Sequence, residues 1–308
     1  MPRGISVHVG VNNPDPVFGV TPLQGCVSDA TSMRDIAVSR GFEAKIFLDG
    51  NATFENVFEA ILDATEQLTA DDIFLFTFAG HGSFQSTIPS DEEADGQDET
   101  ILLRDCVLID NFLRRNLWSQ FAEGVRILGV ADSCHSGSVL SASHVGPSPG
   151  IPSANAPSPA LIMDGGGGPE LATTFGTVVV EAAPPRPVSP SSTLVRAFTD
   201  ADRGRIERLN PELHARLRSE LLSGEDANVR ASLLTLSACR DNQDALDGPE
   251  HGAFTQALLD VWNGGTFTGN YDDFIAGISG RFTPAQQSPN RRPELVDNAF
   301  LQQHPFTI

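Results

Sequence analysis

The sequence predicts an α/β fold in which helices cover both faces of a parallel sheet. Two unbroken apolar runs, DIFLFTF at 72–78 and RILGVA at 126–131, are typical of strands buried on both sides. Stretches with the spacing of amphipathic helices lie between the apolar runs through the first 140 residues. Because strands and helices alternate, we expect parallel strands joined by helical crossovers.

The elements follow one another in a regular order. Apolar or alternating runs predict strands at Ile5 to Val11, Ala44 to Leu48, Asp72 to Phe78, Arg126 to Ala131 and Ser232 to Ser237. Apolar residues spaced three and four apart predict helices at Asp29 to Ser39, Thr53 to Leu68, Leu113 to Phe121, Thr199 to Leu222, His251 to Trp262 and Tyr271 to Ile278. We expect Gly41 to end the first helix and Asn210-Pro211 to interrupt the fourth.

The middle of the chain differs in composition from both ends. Residues 141–192 are rich in Pro, Gly and Ser and bury too little apolar surface to offset the entropy of ordering, although Thr173 to Val180 has the pattern of a short hairpin. We therefore divide the chain into residues 1–140, a flexible insertion with a charged helical segment at 141–231, and residues 232–308, which complete the domain begun by the first part.

Charge and cysteine content exclude several classes of function. Forty Asp and Glu against twenty Lys and Arg give a formal net charge of −20, which opposes binding to nucleic-acid phosphates or anionic membranes. With no apolar run of about 18 residues and no leader-like start, we expect a cytoplasmic protein, and we expect a monomer. The four cysteines form no C-x-x-C pair, which argues against a zinc ribbon or a thioredoxin-type site.

A histidine and a cysteine each follow a buried strand. His81 lies in AGHGS at 79–83, and Cys134 lies in DSC at 132–134. Because ligands bind beyond the carboxyl ends of parallel strands, we expect the two side chains to meet there. A thiol beside an imidazole can act as a nucleophile, and the N–H groups of Gly82 and Cys134 are candidates for an oxyanion hole. The competing interpretation is that each residue is structural.

Five short motifs occur in a fixed order: GCVSDA at 25–30, GHG at 80–82, DSCHSGS at 132–138, SACRDNQ at 237–243 and QSP at 287–289. Together they resemble the motifs of caspase-like cysteine peptidases, with most similarity to metacaspases and bacterial orthocaspases. The resemblance implies a caspase-like three-layer sandwich around a mostly parallel, six-stranded sheet. It also implies that His81 is the catalytic base and Cys134 the nucleophile.

The resemblance further implies an acidic pocket for an Arg or Lys side chain. Cys26, Asp29 and Asp132 match the positions that line this pocket in metacaspases, and paired carboxylates can bind a guanidinium selectively. Asp29 could instead be a first-turn acid of a helix, and Asp132 could orient the loop that carries Cys134. Ala79 stands where the family commonly has serine, so one polar contact of the pocket is lost.

A second acidic cluster, DEEADGQDE at 91–99, precedes Asp105 and Asp110. Its oxygen ligands suit Ca²⁺, although the spacing is not that of an EF-hand. The resemblance implies a calcium site with Asp98 and Asp110 at two ligand positions. Asn111 and Ser141 stand where two more acids are expected, which predicts weak calcium binding or none. A solvated acidic loop is the alternative.

These observations lead to one main hypothesis and two alternatives. The main hypothesis is a cysteine endopeptidase that cleaves protein or peptide substrates after Arg or Lys, with calcium stimulation and self-processing. Members of the family are often cut after the nucleophile, and Arg196, Arg203 and Arg205 are the candidate sites here. The alternatives are a catalytically weak caspase-like scaffold or signalling module, and a cysteine hydrolase of small amides.

Overall fold

A computed structural model describes residues 1–86, 97–134, 140, 194–223, 228–240, 243–283 and 287–308. The strands in these ranges are β1 (Gly4–Gly10), β2 (Glu43–Leu48), β3 (Ile73–Ala79), β4 (Gly82–Ser86), β5 (Gln97–Leu102), β6 (Val107–Ile109), β7 (Arg126–Asp132), β8 (Ser232–Ser237) and β9 (Asn290–Glu294). The helices are α1 (Cys26–Ser39), α2 (Phe54–Gln67), α3 (Asp110–Asn116), α4 (Asp200–Leu209), α5 (Pro211–Ser223), α6 (Ala253–Trp262), α7 (Tyr271–Ser279) and α8 (Asn298–Leu301).

Six of these strands form one sheet in the order β2-β1-β3-β7-β8-β9. Neighbouring strands are parallel except for β8 and β9, which are antiparallel. β9 has the polar sequence NRRPE, and its Pro293 suits an edge strand because proline has no N–H to donate to a further neighbour. The predicted parallel sheet is thus confirmed, and strands from both ends of the chain contribute to it.

Each face of the sheet buries its own hydrophobic core. Along β3, Phe74 and Phe76 pack into one core, whereas Ile73 and Leu75 pack into the other. Helices α2, α3 and α5 cover the first face, and α1, α6 and α7 cover the second. Burial on both faces explains why β3 and β7 have unbroken apolar sequences.

A separate three-stranded antiparallel sheet, β4-β5-β6, begins immediately after His81. The sequence analysis did not predict this sheet, because β4 (GSFQS) is polar and β5 (QDETIL) starts within the acidic run. The amide of Leu102, at the end of β5, donates to the carbonyl of His81 at 3.0 Å. The small sheet is therefore attached directly to the segment that carries the predicted base.

Two predicted helices have boundaries that are wrong by three residues or more. Helix α1 begins at Cys26 rather than Asp29. Helix α3 spans Asp110–Asn116 rather than 113–121, because Leu117 leaves the helical region and a 3₁₀ turn, Trp118–Gln120, follows. Leu117 and Trp118 are both buried in the core, so tertiary packing overrides the helical spacing of the sequence.

Other local predictions agree with the structure. Gly41 follows α1 with φ +93°, a conformation that favours glycine, and Asn210 separates α4 from α5. The hairpin predicted at Thr173 to Val180 lies outside the described residues. Within the described ranges, every helix is too short or too polar to cross a bilayer.

Candidate active site

His81 and Cys134 lie at the same edge of the large sheet. Ala79 in β3 is in register with Asp132 in β7, and the predicted base and nucleophile each follow two residues later. His81 is 1% exposed and Cys134 is fully buried. The parallel pairing of β3 and β7 therefore places the two residues at equivalent positions beyond the carboxyl ends of neighbouring strands, as the sequence predicts.

A backbone carbonyl holds the imidazole of His81. Nε2 lies 2.7 Å from the carbonyl oxygen of Thr21, so it carries the proton and donates it. Nδ1 is buried and has no hydrogen-bond partner among the described residues. Burial lowers the pKa of His81 below its usual value, against the opposing effect of the Thr21 carbonyl, and the nearby Arg196 cation lowers the pKa further. The ring is thus neutral, with Nδ1 free to accept a proton.

The thiol of Cys134 is buried beside Ala245. Its Sγ accepts the N–H of Ala245 at 3.0 Å and lies 3.6 Å from the carbonyl oxygen of the same residue. Burial raises the pKa of the Cys134 thiol well above its ordinary value, and the neighbouring thiol of Cys239 adds to this effect. The thiol is therefore protonated in this arrangement and needs a base to become a nucleophile.

The two predicted oxyanion donors converge on one carbonyl oxygen. The N–H of Gly82 donates to the carbonyl oxygen of Arg196 at 2.8 Å, and the N–H of Cys134 donates to the same oxygen at 3.2 Å. A Cβ at position 82 would lie 2.2 Å from the carbonyl oxygen of Cys134. Only glycine allows this close approach of the two backbones.

Residues 194–196 lie in the site and pair through their main chain with residues 245–247. The N–H of Arg196 donates to Ala245 and the N–H of Asp247 donates to Leu194, both at 3.0 Å, and Val195 pairs with Leu246 in antiparallel register. Such main-chain pairing is how an extended peptide is recognised at a strand edge.

The QSP motif supports residues 245–247 from behind. The side chain of Gln287 accepts the N–H of Leu246 at 3.3 Å and donates to the carbonyl of Ala238 at 2.8 Å. Gln287 is 1% exposed. A buried amide that bonds two backbone groups in this way fixes the position of residues 245–247.

The guanidinium of Arg196 is fully buried among three carboxylates, which we call the acidic pocket: Asp29, Asp132 and Asp247. Nη2 lies 2.5 Å from Asp29 and 3.0 Å from Asp247, and Nη1 lies 3.1 Å from the carboxylate of Asp132. Nε also donates to Asp247, at 3.3 Å. Every nitrogen of the guanidinium therefore contacts a carboxylate.

Each carboxylate of the acidic pocket is itself fixed by other donors. Asp29 accepts from the imidazole of His251 at 2.9 Å, Asp132 accepts from the hydroxyl of Thr255 at 2.6 Å, and Asp247 accepts the N–H of Gln24 at 2.8 Å. Asp29 also lies in the first turn of α1. It is therefore both a first-turn acid of a helix and a residue of the acidic pocket.

The acidic pocket contains more negative charge than one guanidinium can neutralise. Burial raises the pKa of Asp132 to about 6, although the Arg196 cation acts in the opposite direction. The hydrogen bond to Asp29 raises the pKa of His251 above its usual value. Protons on Asp132 and His251 therefore compete with a bound cation for the same carboxylates.

Cys26 and Ala79 form a nonpolar wall beside the acidic pocket. They are buried together with Leu23, so the residue that replaces the family's serine contributes packing rather than a polar group. Burial raises the pKa of the Cys26 thiol, and the Arg196 cation opposes this shift, which places Cys26 near the guanidinium.

The predicted calcium ligands are only partly described. Asp110 is 3% exposed in the first turn of α3, where its carboxylate accepts the N–H of Asn111 at 2.7 Å. The side chain of Asp98 and the whole of Ser141 lie outside the described residues. Within the described ranges, no group of three or more His, Cys, Asp or Glu residues is arranged to hold a metal ion. The fit of a calcium ion is therefore not established, and no catalytic step is assigned to one.

Sequence reasoning missed several contributors to the site, among them Asp247, Thr21 and Ala245. Asp247 stands in an acid-rich stretch with Asp244 and Glu250, and nothing local distinguishes it from a solvated acid. Thr21 and Ala245 act through backbone groups, which their side chains do not reveal. The available signal for Asp247 was its position four residues after the SACRDNQ motif.

Comparison with known proteins agrees with this geometry. A sequence model described as "Caspase domain" matches residues 3–301. The chain belongs to the caspase-domain family of cysteine peptidases. A crystal structure of protein GSU0716 from Geobacter sulfurreducens is similar to the whole peptidase, with a TM-score of 0.74, 33% identity, and coverage of 100% of this chain and 99% of that chain.

Curated relatives of this peptidase are metacaspases. Metacaspase-9 of Arabidopsis thaliana is 26% identical over 292 residues, which cover 85% of this chain and 84% of the relative. Metacaspase-1 of Plasmodium falciparum is 35% identical over 134 residues, 38% of this chain and 22% of the relative. Metacaspase-1 of Candida albicans is 24% identical, with 77% of this chain and 52% of the relative covered. The peptidase thus spans well under two thirds of some of these relatives.

Proposed function

We propose that this peptidase hydrolyses peptide bonds after arginine and that the bond between Arg196 and Ala197 in its own chain is its first substrate. One observation carries the proposal: the Arg196 guanidinium is in the acidic pocket while its carbonyl accepts both oxyanion donors. A residue held at both ends in this way is positioned as the residue whose carbonyl is attacked.

The proposed chemistry uses groups already described. Nδ1 of His81 takes the thiol proton of Cys134, and the thiolate attacks the carbonyl carbon of the arginine. The N–H groups of Gly82 and Cys134 stabilise the oxyanion. His81 then gives its proton to the leaving amine, which leaves an acyl-enzyme that water hydrolyses.

The acidic pocket favours arginine over lysine. The guanidinium of Arg196 donates hydrogen bonds to the carboxylates of Asp29 and Asp247, and its Nη1 donates to the backbone carbonyl of Asp132 while lying 3.1 Å from the carboxylate of the same residue. A lysine ammonium is a single point charge and cannot satisfy all of these acceptors at once. We therefore expect arginyl substrates to be preferred and lysyl substrates to be cleaved more slowly.

Arg196 is a better candidate for self-cleavage than Arg203 or Arg205. The latter two lie within helix α4 and form ion pairs with Asp200 and Asp202. A helical backbone has its N–H and C=O groups bonded internally, so it cannot pair through its main chain with residues 245–247. Arg196 already pairs with Ala245.

Fluorogenic peptides that end in Arg, Lys or Asp test the proposal, with wild type compared to Cys134→Ala and His81→Ala. We expect turnover of the Arg peptide, slower turnover of the Lys peptide and none in either variant. If wild type turns over none of the peptides and leaves Arg196–Ala197 uncut, the catalytically weak scaffold is the better description. Preference for Asp would contradict the assignment of the acidic pocket.

Calcium stimulation is a second part of the proposal, supported only by the family positions of Asp98 and Asp110. It is tested by measuring initial rates and the rate of self-cleavage in millimolar calcium and in excess chelator. Asp110→Asn should then lower the calcium response. Equal rates with calcium and with chelator would remove this part and leave the arginine proposal intact.

A further inference from the structure

The four residues around the Arg196–Ala197 bond alternate between buried and exposed. Val195 is 36% exposed, Arg196 is 0% exposed, Ala197 is partly buried and Phe198 is 4% exposed. Arg196 and Phe198 are therefore two buried side chains of this segment that are inserted at separate places.

Phe198 is inserted into a small apolar cluster, which comprises Phe18, Leu102, Val107, Phe198 and Ile206. This cluster is separate from the two cores of the large sheet. Leu102 and Val107 belong to the small sheet, and Phe18 ends a short 3₁₀ turn, Pro16–Phe18. Three residues of the cluster, Phe18, Leu102 and Val107, thus belong to the part of the chain that carries the catalytic residues.

The apolar cluster is attached to the catalytic machinery. The amide of Leu102 bonds the carbonyl of His81 at 3.0 Å, and Gly82 pairs with Ala197 in parallel register. The cluster consequently lies on the side of the cleaved bond from which the amine leaves, two residues beyond the arginine.

We propose that this cluster is a substrate subsite for a large apolar side chain at the second position after the cleaved arginine. The inference rests on the proposed function and extends it to the leaving-group side. The preferred substrate class is then Arg, a small residue, and an aromatic or large aliphatic residue, in that order. The residue before the arginine is selected weakly, because Val195 is exposed.

Ile206 offers a competing explanation for the cluster. It lies on α4 and is fully buried there, so Phe198 and Ile206 together would also seat α4 on the small sheet. If Phe198 only seats α4, replacing Phe198 should affect self-cleavage of the intact chain and nothing else. A subsite predicts discrimination among separate peptides as well.

The test uses the self-processed peptidase and internally quenched peptides that differ only at the second position after arginine. We expect kcat/KM to be about tenfold or more higher with Phe than with Asp, because burial favours an apolar side chain and penalises a carboxylate. A peptide that ends in arginine coupled to a fluorophore has no residues on that side and measures the proposed function separately.

Phe18→Ala supplies the variant, with Val17→Ala as its control. Both residues lie on the same 3₁₀ turn, but Phe18 is 3% exposed and Val17 is 55% exposed. Phe18→Ala should reduce the Phe-to-Asp ratio severalfold, with each rate normalised to the fluorophore substrate, and Val17→Ala should preserve the ratio.

Equal rates for the Phe and Asp peptides would overturn the subsite, provided the fluorophore substrate is turned over. The subsite would also be overturned if Phe198→Asp slows self-cleavage while the peptidase does not discriminate among the separate peptides. Phe198 would then serve to seat α4 on the small sheet. Absence of turnover of the fluorophore substrate would instead count against the proposed function.

Discussion

The carbonyl oxygen of Arg196 accepts the N–H of Gly82 at 2.8 Å. This bond joins Gly82, the oxyanion donor beside the predicted base, to Arg196, which lies far from it in the sequence. Because Arg196 also fills the acidic pocket, the uncut chain occupies its own site. We expect a lag before turnover of added peptides, which cutting of the chain would end.

Arg196→Gln should prevent the cut at this position. Glutamine keeps part of the side-chain length but removes the cation that the three carboxylates bind. Wild type should yield fragments 1–196 and 197–308 on a denaturing gel, and mass spectrometry should identify the new end at Ala197. Arg203→Gln is the control and should be cut like wild type; an unchanged cut in Arg196→Gln would assign processing to another bond.

Asp247→Asn should weaken arginyl substrates. The substitution keeps one oxygen, which can still accept the N–H of Gln24 or that of Gly25, but removes a buried charge opposite the guanidinium. The loss in kcat/KM should be about 10- to 100-fold, as for a charge-assisted hydrogen bond. Asp260→Asn, an exposed acid on α6, should leave kcat/KM unchanged. Equal kinetics of both variants would exclude Asp247 from arginine binding.

Gly252→Ala should close the acidic pocket. A Cβ at this position would lie 2.5 Å from Nη2 of Arg196 and 2.6 Å from a carboxylate oxygen of Asp132. We expect loss of arginyl turnover by about two orders of magnitude or more, since neither group can move without losing its partner. Gly50→Ala meets nothing within 4 Å and serves as the matched control. Full activity of Gly252→Ala would mean that substrates bind elsewhere.

Acid should raise KM for arginyl peptides before it lowers kcat. The guanidinium lowers the pKa of both Asp132 and His251, so by linkage arginine binds more tightly when these groups have lost their protons. As the pH falls through about 6, Asp132 is neutralised and binding weakens. The base, His81, has a pKa below its usual value and keeps its function to lower pH.

Steady-state kinetics between neutral and mildly acidic pH would check this order. His251→Gln retains a side-chain donor for Asp29 but cannot carry a charge, so the rise in KM should be smaller than in wild type. A fall in kcat at constant KM would contradict the competition between protons and arginine.

Sequence patterns identified the parts of the site that follow regular elements. His81 and Cys134 were found because each follows an apolar strand in a recognisable motif, and strand pairing then fixes their level. Asp247 was not found, since it reaches the pocket through an irregular segment whose course depends on Gln287 and Gln24. The small sheet was missed for a related reason: its strands are short and partly polar, and pairing rather than propensity forms them.

Strands β7 and β8 pair from Arg126 with Ser232 to Ala131 with Ser237. In the sequence, β7 lies before the proposed cut and β8 lies after it. A cleaved molecule would thus remain assembled by six parallel register pairs and both cores, and would elute as a single particle. Its unfolding, however, would become a dissociation of two chains. The melting temperature of the cut form should therefore rise with protein concentration, whereas that of the Cys134→Ala chain should not.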